Sequence, residues 1–84
     1  SEPYNMDLLN AYLDGLLKKY LDEKEYMVLK LSYGLSCDKH SAKQIADILK
    51  IEGTSAYVRV SQLKKQAVQK LIQNVDYTQV LDYL

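Results

Sequence analysis

The chain has no Trp and no Phe, one Cys, one His and three Gly, and its 84 residues sum to zero net charge. Each scarcity excludes something. No apolar run approaches the roughly 18–20 residues of a membrane span, and the N-terminus lacks the charged-then-apolar layout of a signal peptide. A soluble, cytoplasmic protein is therefore expected, with Ser1 in place of an initiator Met suiting an excised domain or a processed short protein. The lone Cys37 agrees with a reducing compartment. Cys37 and His40 have the Cys-x-x-His spacing of half a zinc site, but no second pair exists to close one, so Cys37 reads as a loop cysteine and no metal is expected. With one His, no Gly-rich phosphate loop and no carboxylate pair in an apolar surround, the chain offers no catalytic constellation. Neither an enzyme nor a cofactor is expected.

Zero net charge argues on its face against a nucleic-acid partner, because neutralising phosphates supplies most non-specific affinity. The distribution reverses that argument. Residues 1–38 carry four lysines against seven acids, residues 39–73 carry seven bases against Asp47 and Glu52, and residues 74–84 add only Asp76 and Asp82. An acidic half beside a basic half suits one face for phosphates and another for a different partner. The eight tyrosines offer rings for base stacking, yet most fall at positions expected to face the core. Tyr57 is the exception.

Spacing predicts an all-α domain, a small bundle of four to five helices containing a helix-turn-helix. Met6, Leu9, Leu13, Leu16, Leu17, Tyr20 and Leu21 recur at three- and four-residue steps, predicting a first helix within residues 1–21. Gly15 inside it either costs stability or marks a close helix crossing. Asp22 with Glu25 forms a variant capping box for a second helix, residues 22–35, which Gly34 ends. Residues 36–40 read as a loop. Ser41 and Gln44 make a second capping box, and Ala42, Ile45, Ala46 and Leu49 give the buried stripe of a short third helix. Glu52-Gly53-Thr54-Ser55 forms a turn, with Thr54 or Ser55 capping a long fourth helix that points Ala56, Val60, Leu63, Ala67 and Leu71 inward. The pair of helices occupies residues 41–73. Tyr77, Val80, Leu81 and Leu84 predict a fifth short helix over 76–84, with Asp76 as its cap.

A short helix, a Gly-containing turn and a longer basic helix is the arrangement that lets a recognition helix enter the major groove. Among the outward positions of the fourth helix, Gln62 suits an adenine edge and Arg59 a guanine edge, each matching that base's donor and acceptor pattern. Lys64, Lys65 and Lys70 suit phosphates, being flexible point charges, and Tyr57 and Ser61 complete the surface. Ser41, Lys43 and Gln44 offer a further phosphate contact at the start of the third helix. Periodicity and charge alone describe a solvated bundle face equally well.

The run Leu21, Glu23, Glu25, Val28, Leu29, Leu31 and Tyr33-Gly34-Leu35 is followed by Ser41, Ile45, Ala46, Leu49 and Ile51, then by Val60, Gln62, Leu63, Ala67, Lys70 and Leu71. In these residues the chain resembles region 4, the minus-35-binding C-terminal domain of bacterial RNA polymerase sigma factors, or a sigma-like transcription factor. The resemblance implies two partners: promoter DNA with a minus-35-like element, and the flap of the polymerase β subunit. It also admits an anti-sigma or coactivator protein. For the flap it implies an apolar concavity, for which Met27, Leu31, Tyr33, Leu35, Ile48 and Ile51 are the candidates. The departures are specific. The turn from Ile51 to Ala56 is about three or four residues longer than the tight turn of the motif. Tyr57 and Val58 replace the family's Arg-Glu pair, and Ser61 replaces its second arginine. Two other readings stay open: a sigma-like coactivator that binds polymerase but reads little DNA sequence, and an unrelated helix-turn-helix repressor that dimerises through the first helix or the tail.

Overall fold

The computed structural model describes residues 3–76 and Thr78. Four helices follow in order, α1 (Pro3–Tyr20), α2 (Glu23–Tyr33), α3 (Ala42–Ile48) and α4 (Ala56–Asn74), with no strand among the described residues. The fold is all-α. The fifth helix expected over 76–84 lies, apart from Asp76 and Thr78, outside the described residues. No described helix is long and apolar enough to cross a membrane.

Local chemistry accounts for the helix starts. Asp22 Oδ1 accepts from the Glu25 N–H at 2.8 Å while Glu25 Oε1 accepts from the Asp22 N–H at 3.0 Å, satisfying two donors that a helix start would otherwise leave free. Ser41 and Gln44 do the same for α3, at 3.2 and 2.8 Å. Ser55 occupies the expected cap position of α4, yet its side chain makes no capping bond. Its ψ of 18° departs from the extended backbone that turns an N-cap oxygen toward the next N–H groups.

The helix ends divide differently. At the end of α2, Gly34 takes the left-handed conformation, φ 69°, and the N–H groups of Gly34 and Leu35 both donate to Lys30 O. At the end of α3 the same left-handed position is filled by Lys50, φ 57°. Ile51 N–H donates to Ala46 O at 2.8 Å and Lys50 N–H to Asp47 O at 3.3 Å, the bond pattern of a Schellman ending with lysine where glycine is usual. The chain then needs residues 49–55, seven in all, to reach α4.

α4 is the spine of the packing. Its first half contributes Val60 to a cluster with Val28, Leu31, Ile45 and Ala46, against which Met27, Leu49, Ile51, Ala56 and Leu63 also pack. Its second half contributes Ala67 to a cluster with Leu17, Leu21 and Leu29, flanked by Leu35, Val68 and Leu71. α2 serves both, with Val28 and Leu31 in one and Leu29 in the other. Each buried Val, Leu or Ile contributes roughly 1.5–3 kcal/mol by leaving water, so two separate clusters hold α4 along most of its length. Gly15 marks no helix crossing: it is exposed, and a Cβ built there meets nothing within 4 Å.

α1 is fastened to α2 by polar bonds as well. Tyr26 Oη donates to Asp14 Oδ1 at 2.6 Å, Lys18 pairs with Asp14 Oδ2 at 3.0 Å, and the ammonium groups of Lys18 and Lys30 lie over the Tyr26 ring at 5.6 and 5.7 Å. The Tyr26 bond first, and Lys18 second, hold the Asp14 carboxyl below its ordinary value of 3.8. A depressed carboxyl contributes stability above its unfolded pKa, and that contribution is lost as pH falls through the folded value. Acid unfolding followed by circular dichroism between pH 5 and about pH 2 is therefore expected to be less steep in Asp14→Asn than in wild type. An unchanged slope would remove Asp14 from the acid response.

Candidate nucleic-acid interface

α4 contains no Asp or Glu between Ala56 and Asn74, so its solvent face is basic by composition. Tyr57, Val58, Arg59, Ser61, Gln62 and Lys65 are all exposed on it. Tyr57, Val58, Ser61, Gln62 and Lys65 line one open depression, and Ser61 and Lys65 continue into a second with Tyr33, Lys64, Val68 and Gln69. Among the described residues, no acidic side chain lines either. Lys64 is half-buried and its ammonium stands 4.7 Å from the centroid of the Tyr33 ring, which restricts a side chain that would otherwise sweep freely.

The acids of the basic half lie elsewhere. Asp47 and Glu52 share with Lys43 and Tyr57 the notch between α3 and the start of α4. Their charge makes that notch poorer for phosphate than the outer face of α4. Lys43 is exposed, but Ser41 and Gln44 are occupied by their reciprocal capping bonds. The phosphate contact expected of Ser41 and Gln44 would have to break a cap.

Lys70 departs most from its expected role among outward phosphate contacts. Its Nζ lies 2.7 Å from Glu25 Oε1, and that bond first of all raises its pKa above the ordinary 10.5. Glu25 is fully buried, with Oε2 lacking a hydrogen-bond partner, so the ammonium of Lys70 supplies the counter-charge for a carboxylate inside the fold. Nothing in the local pattern signals this pair, because its members are 45 residues apart.

The six apolar residues assigned to a flap-binding concavity are not a single surface. Leu31 is 7% exposed and belongs to the core, because its place on α2 faces Ile45 and Val60. Met27 and Ile51 pack partly buried against that same cluster, whereas Leu35 packs against the other. Only Tyr33 and Ile48, each 48% exposed, present a large apolar side chain to solvent. The tyrosines divide: Tyr12, Tyr20 and Tyr26 are half-buried, with Tyr26 packed against the cluster of Leu17, Leu21, Leu29 and Ala67, Tyr57 is exposed as expected, and Tyr33 is exposed as well. A phenolic hydroxyl needs a polar partner, and Tyr26 finds its own in Asp14 at the edge of the bundle. Cys37 and His40 turn toward backbone carbonyls, of Lys30 at 3.6 Å and Asp38 at 2.7 Å.

No family model, curated protein or solved structure matches the chain. The functional reading therefore stands on the residues and their geometry.

Proposed function

We propose that this is a sigma region 4-like domain working in the cytoplasm, with α3 and α4 as its helix-turn-helix, that binds promoter DNA and docks on the polymerase β-subunit flap. The observation that carries the reading is the acid-free outer face of α4, where Tyr57, Ser61, Gln62 and Lys65 share one depression beside Lys64. Gln62 is the residue suited to a base edge, Arg59 the second, and Lys64 and Lys65 the phosphate contacts. The domain's part is recognition, and the catalytic step of transcription belongs to the polymerase. Tyr33 and Ile48 are the side chains of the flap-facing set that remain available to a partner.

Binding measured on a duplex with a minus-35-like element at several salt concentrations tests this. Lys65→Ala is expected to weaken all sequences alike and to lower the salt slope by about one unit, whereas Gln62→Ala relaxes preference at one base pair by about 1–3 kcal/mol. If neither substitution alters affinity or slope, α4 does not read DNA. Capture by the isolated flap, weakened about tenfold by Ile48→Asp, separates a polymerase factor from a free repressor.

A second reading is favoured by the seven-residue link before α4, by the capping bonds that occupy the exposed Ser41 and Gln44, and by the pairing of Lys70 with the buried Glu25. Fewer DNA contacts remain than the family pattern implies. A sigma-like coactivator would bind the flap and show only the non-specific, salt-dependent part of DNA binding.

A further inference from the structure

The first turn of α4 carries two large apolar side chains in solvent, Tyr57 at 55% and Val58 at 56% exposure. From Arg59 to Gln69, by contrast, every exposed position of the helix is polar. The apolar pair is not isolated, since both residues line the depression that holds Ser61, Gln62 and Lys65. Helical period sets Ser61 one turn after Tyr57 and Gln62 one turn after Val58, so each apolar side chain has a hydrogen-bonding neighbour on the same face.

An amide beside an apolar surface has a specific match in duplex DNA. The one apolar feature of the major groove is the C5-methyl group of thymine, and adenine offers there the N7 acceptor and N6 donor that a Gln amide meets with two bonds. The leading residues of a recognition helix are those that reach the base edges. We propose that Tyr57 and Val58 read thymine C5-methyl groups by apolar contact, next to an adenine held by Gln62, so that the leading end of α4 selects adjacent A·T pairs. Charge favours DNA over a protein as what covers the pair. α4 has no Asp or Glu, Lys65 lines the same depression, and Lys64 lines the one that continues from it. A polyanion gains from those ammonium groups, whereas an apolar patch on a protein brings nothing to pair with them.

This inference rests on the promoter-binding reading, and its test separates the two. The full chain selects from a pool of random-sequence duplexes, and the winning duplex is remade with uracil for thymine at one position at a time, which removes a methyl group and leaves base pairing intact. Loss of one buried methyl contact is expected to weaken binding about fourfold, at thymines next to the adenine where Gln62→Ala relaxes preference. At each such thymine, either Val58→Ala or Tyr57→Ala is expected to abolish the difference, because the methyl then meets nothing. Both positions are exposed and Ala favours a helix, so the variants keep the fold. Uracil bound as tightly as thymine at every position, or a loss that persists in both variants, overturns the proposal while the selection of a sequence still supports promoter reading. A pool that enriches no sequence overturns both. Weaker capture by the polymerase flap in Val58→Ala, with DNA binding unaltered, assigns the pair to a protein and overturns the proposal as well.

Discussion

Lys70→Met is expected to shift the folding equilibrium toward the unfolded chain by roughly a hundredfold or more, although Lys70 itself lies partly in solvent. The loss would come from the group it leaves behind. Glu25 is completely buried; its Oε1 receives the Asp22 N–H and the Lys70 ammonium, and its Oε2 receives nothing. Without Lys70, a buried carboxylate would keep a single backbone donor. A buried ion pair adds little net stability over apolar groups of similar shape, but removing one partner alone is severe. The double substitution Glu25→Gln with Lys70→Met is therefore expected to recover most of the loss, since Gln retains the cap acceptor for Asp22 and carries no charge. Lys65→Met, on an exposed side chain, should lie near wild type. Urea unfolding of the four proteins decides the matter. A Lys70→Met variant as stable as Lys65→Met would refute the account. The sign of Lys70's own pH response agrees: the stability its raised pKa contributes is lost, on the alkaline side, as pH rises from its ordinary 10.5 through its elevated folded value. Lys70→Met should also leave the DNA salt slope of the folded protein unchanged, because the ammonium it removes is engaged within the fold.

That pair marks the boundary of what was legible in the chain. Features written within four residues were readable at the starts of α2 and α3 and at the end of α2, though not at Ser55, whose side chain makes no capping bond. Asp22 with Glu25, Ser41 with Gln44 and the Gly34 stop each lie inside one helical turn, and each appears with the bonds its spacing predicts. The inward stripe of α4 was readable for the same reason, since Val60 and Ala67 are the buried members of a repeating pattern. The ending of α3 was not, because Lys50 takes a left-handed conformation that lysine does not advertise. Nor could spacing distinguish an apolar residue that fills the core from one on its rim. Leu31 and Tyr33 are two positions apart on α2, yet one is buried against Ile45 and the other stacks under Lys64 in solvent. Their difference is set by where α3 and α4 cross α2, a tertiary fact. The candidate interface was correspondingly half legible: the exposed row Tyr57, Arg59, Ser61, Gln62 and Lys65 follows from helical period, while the engagement of Lys70 by Glu25 follows from a bond between residues 45 apart.

Gly34→Ala is expected to cost on the order of 2–4 kcal/mol, from backbone strain and crowding acting together. At φ 69° and ψ 43° the residue sits in the left-handed region, where a Cβ costs roughly 1–2 kcal/mol. That Cβ would also stand 2.9 Å from Lys39 Cγ, 3.0 Å from Cys37 O and 3.1 Å from Lys39 N. The lysine stem can swing aside, but the two backbone atoms belong to the loop that His40 N–H anchors to Leu31 O at 2.8 Å. Relieving the contact means moving that loop, and with it the start of α3 and the angle at which α3 meets α4. Asn, which tolerates left-handed backbone better than Ala, is expected to give little rescue at position 34, because contact and not torsion alone sets the cost. Gly53 supplies the contrast: its φ of 105° is strained for any side chain, but a Cβ there meets nothing within 4 Å, so Gly53→Ala bears only the backbone part, about 1–3 kcal/mol. Gly15→Ala, in an exposed helix interior with open space around it, should raise stability by about 0.5–1 kcal/mol. Thermal melts of the three variants thus have an expected order, position 15 above wild type and position 34 at the bottom. If Gly34→Asn regains wild-type stability, the close approach of the 37–39 backbone is not what demands glycine there.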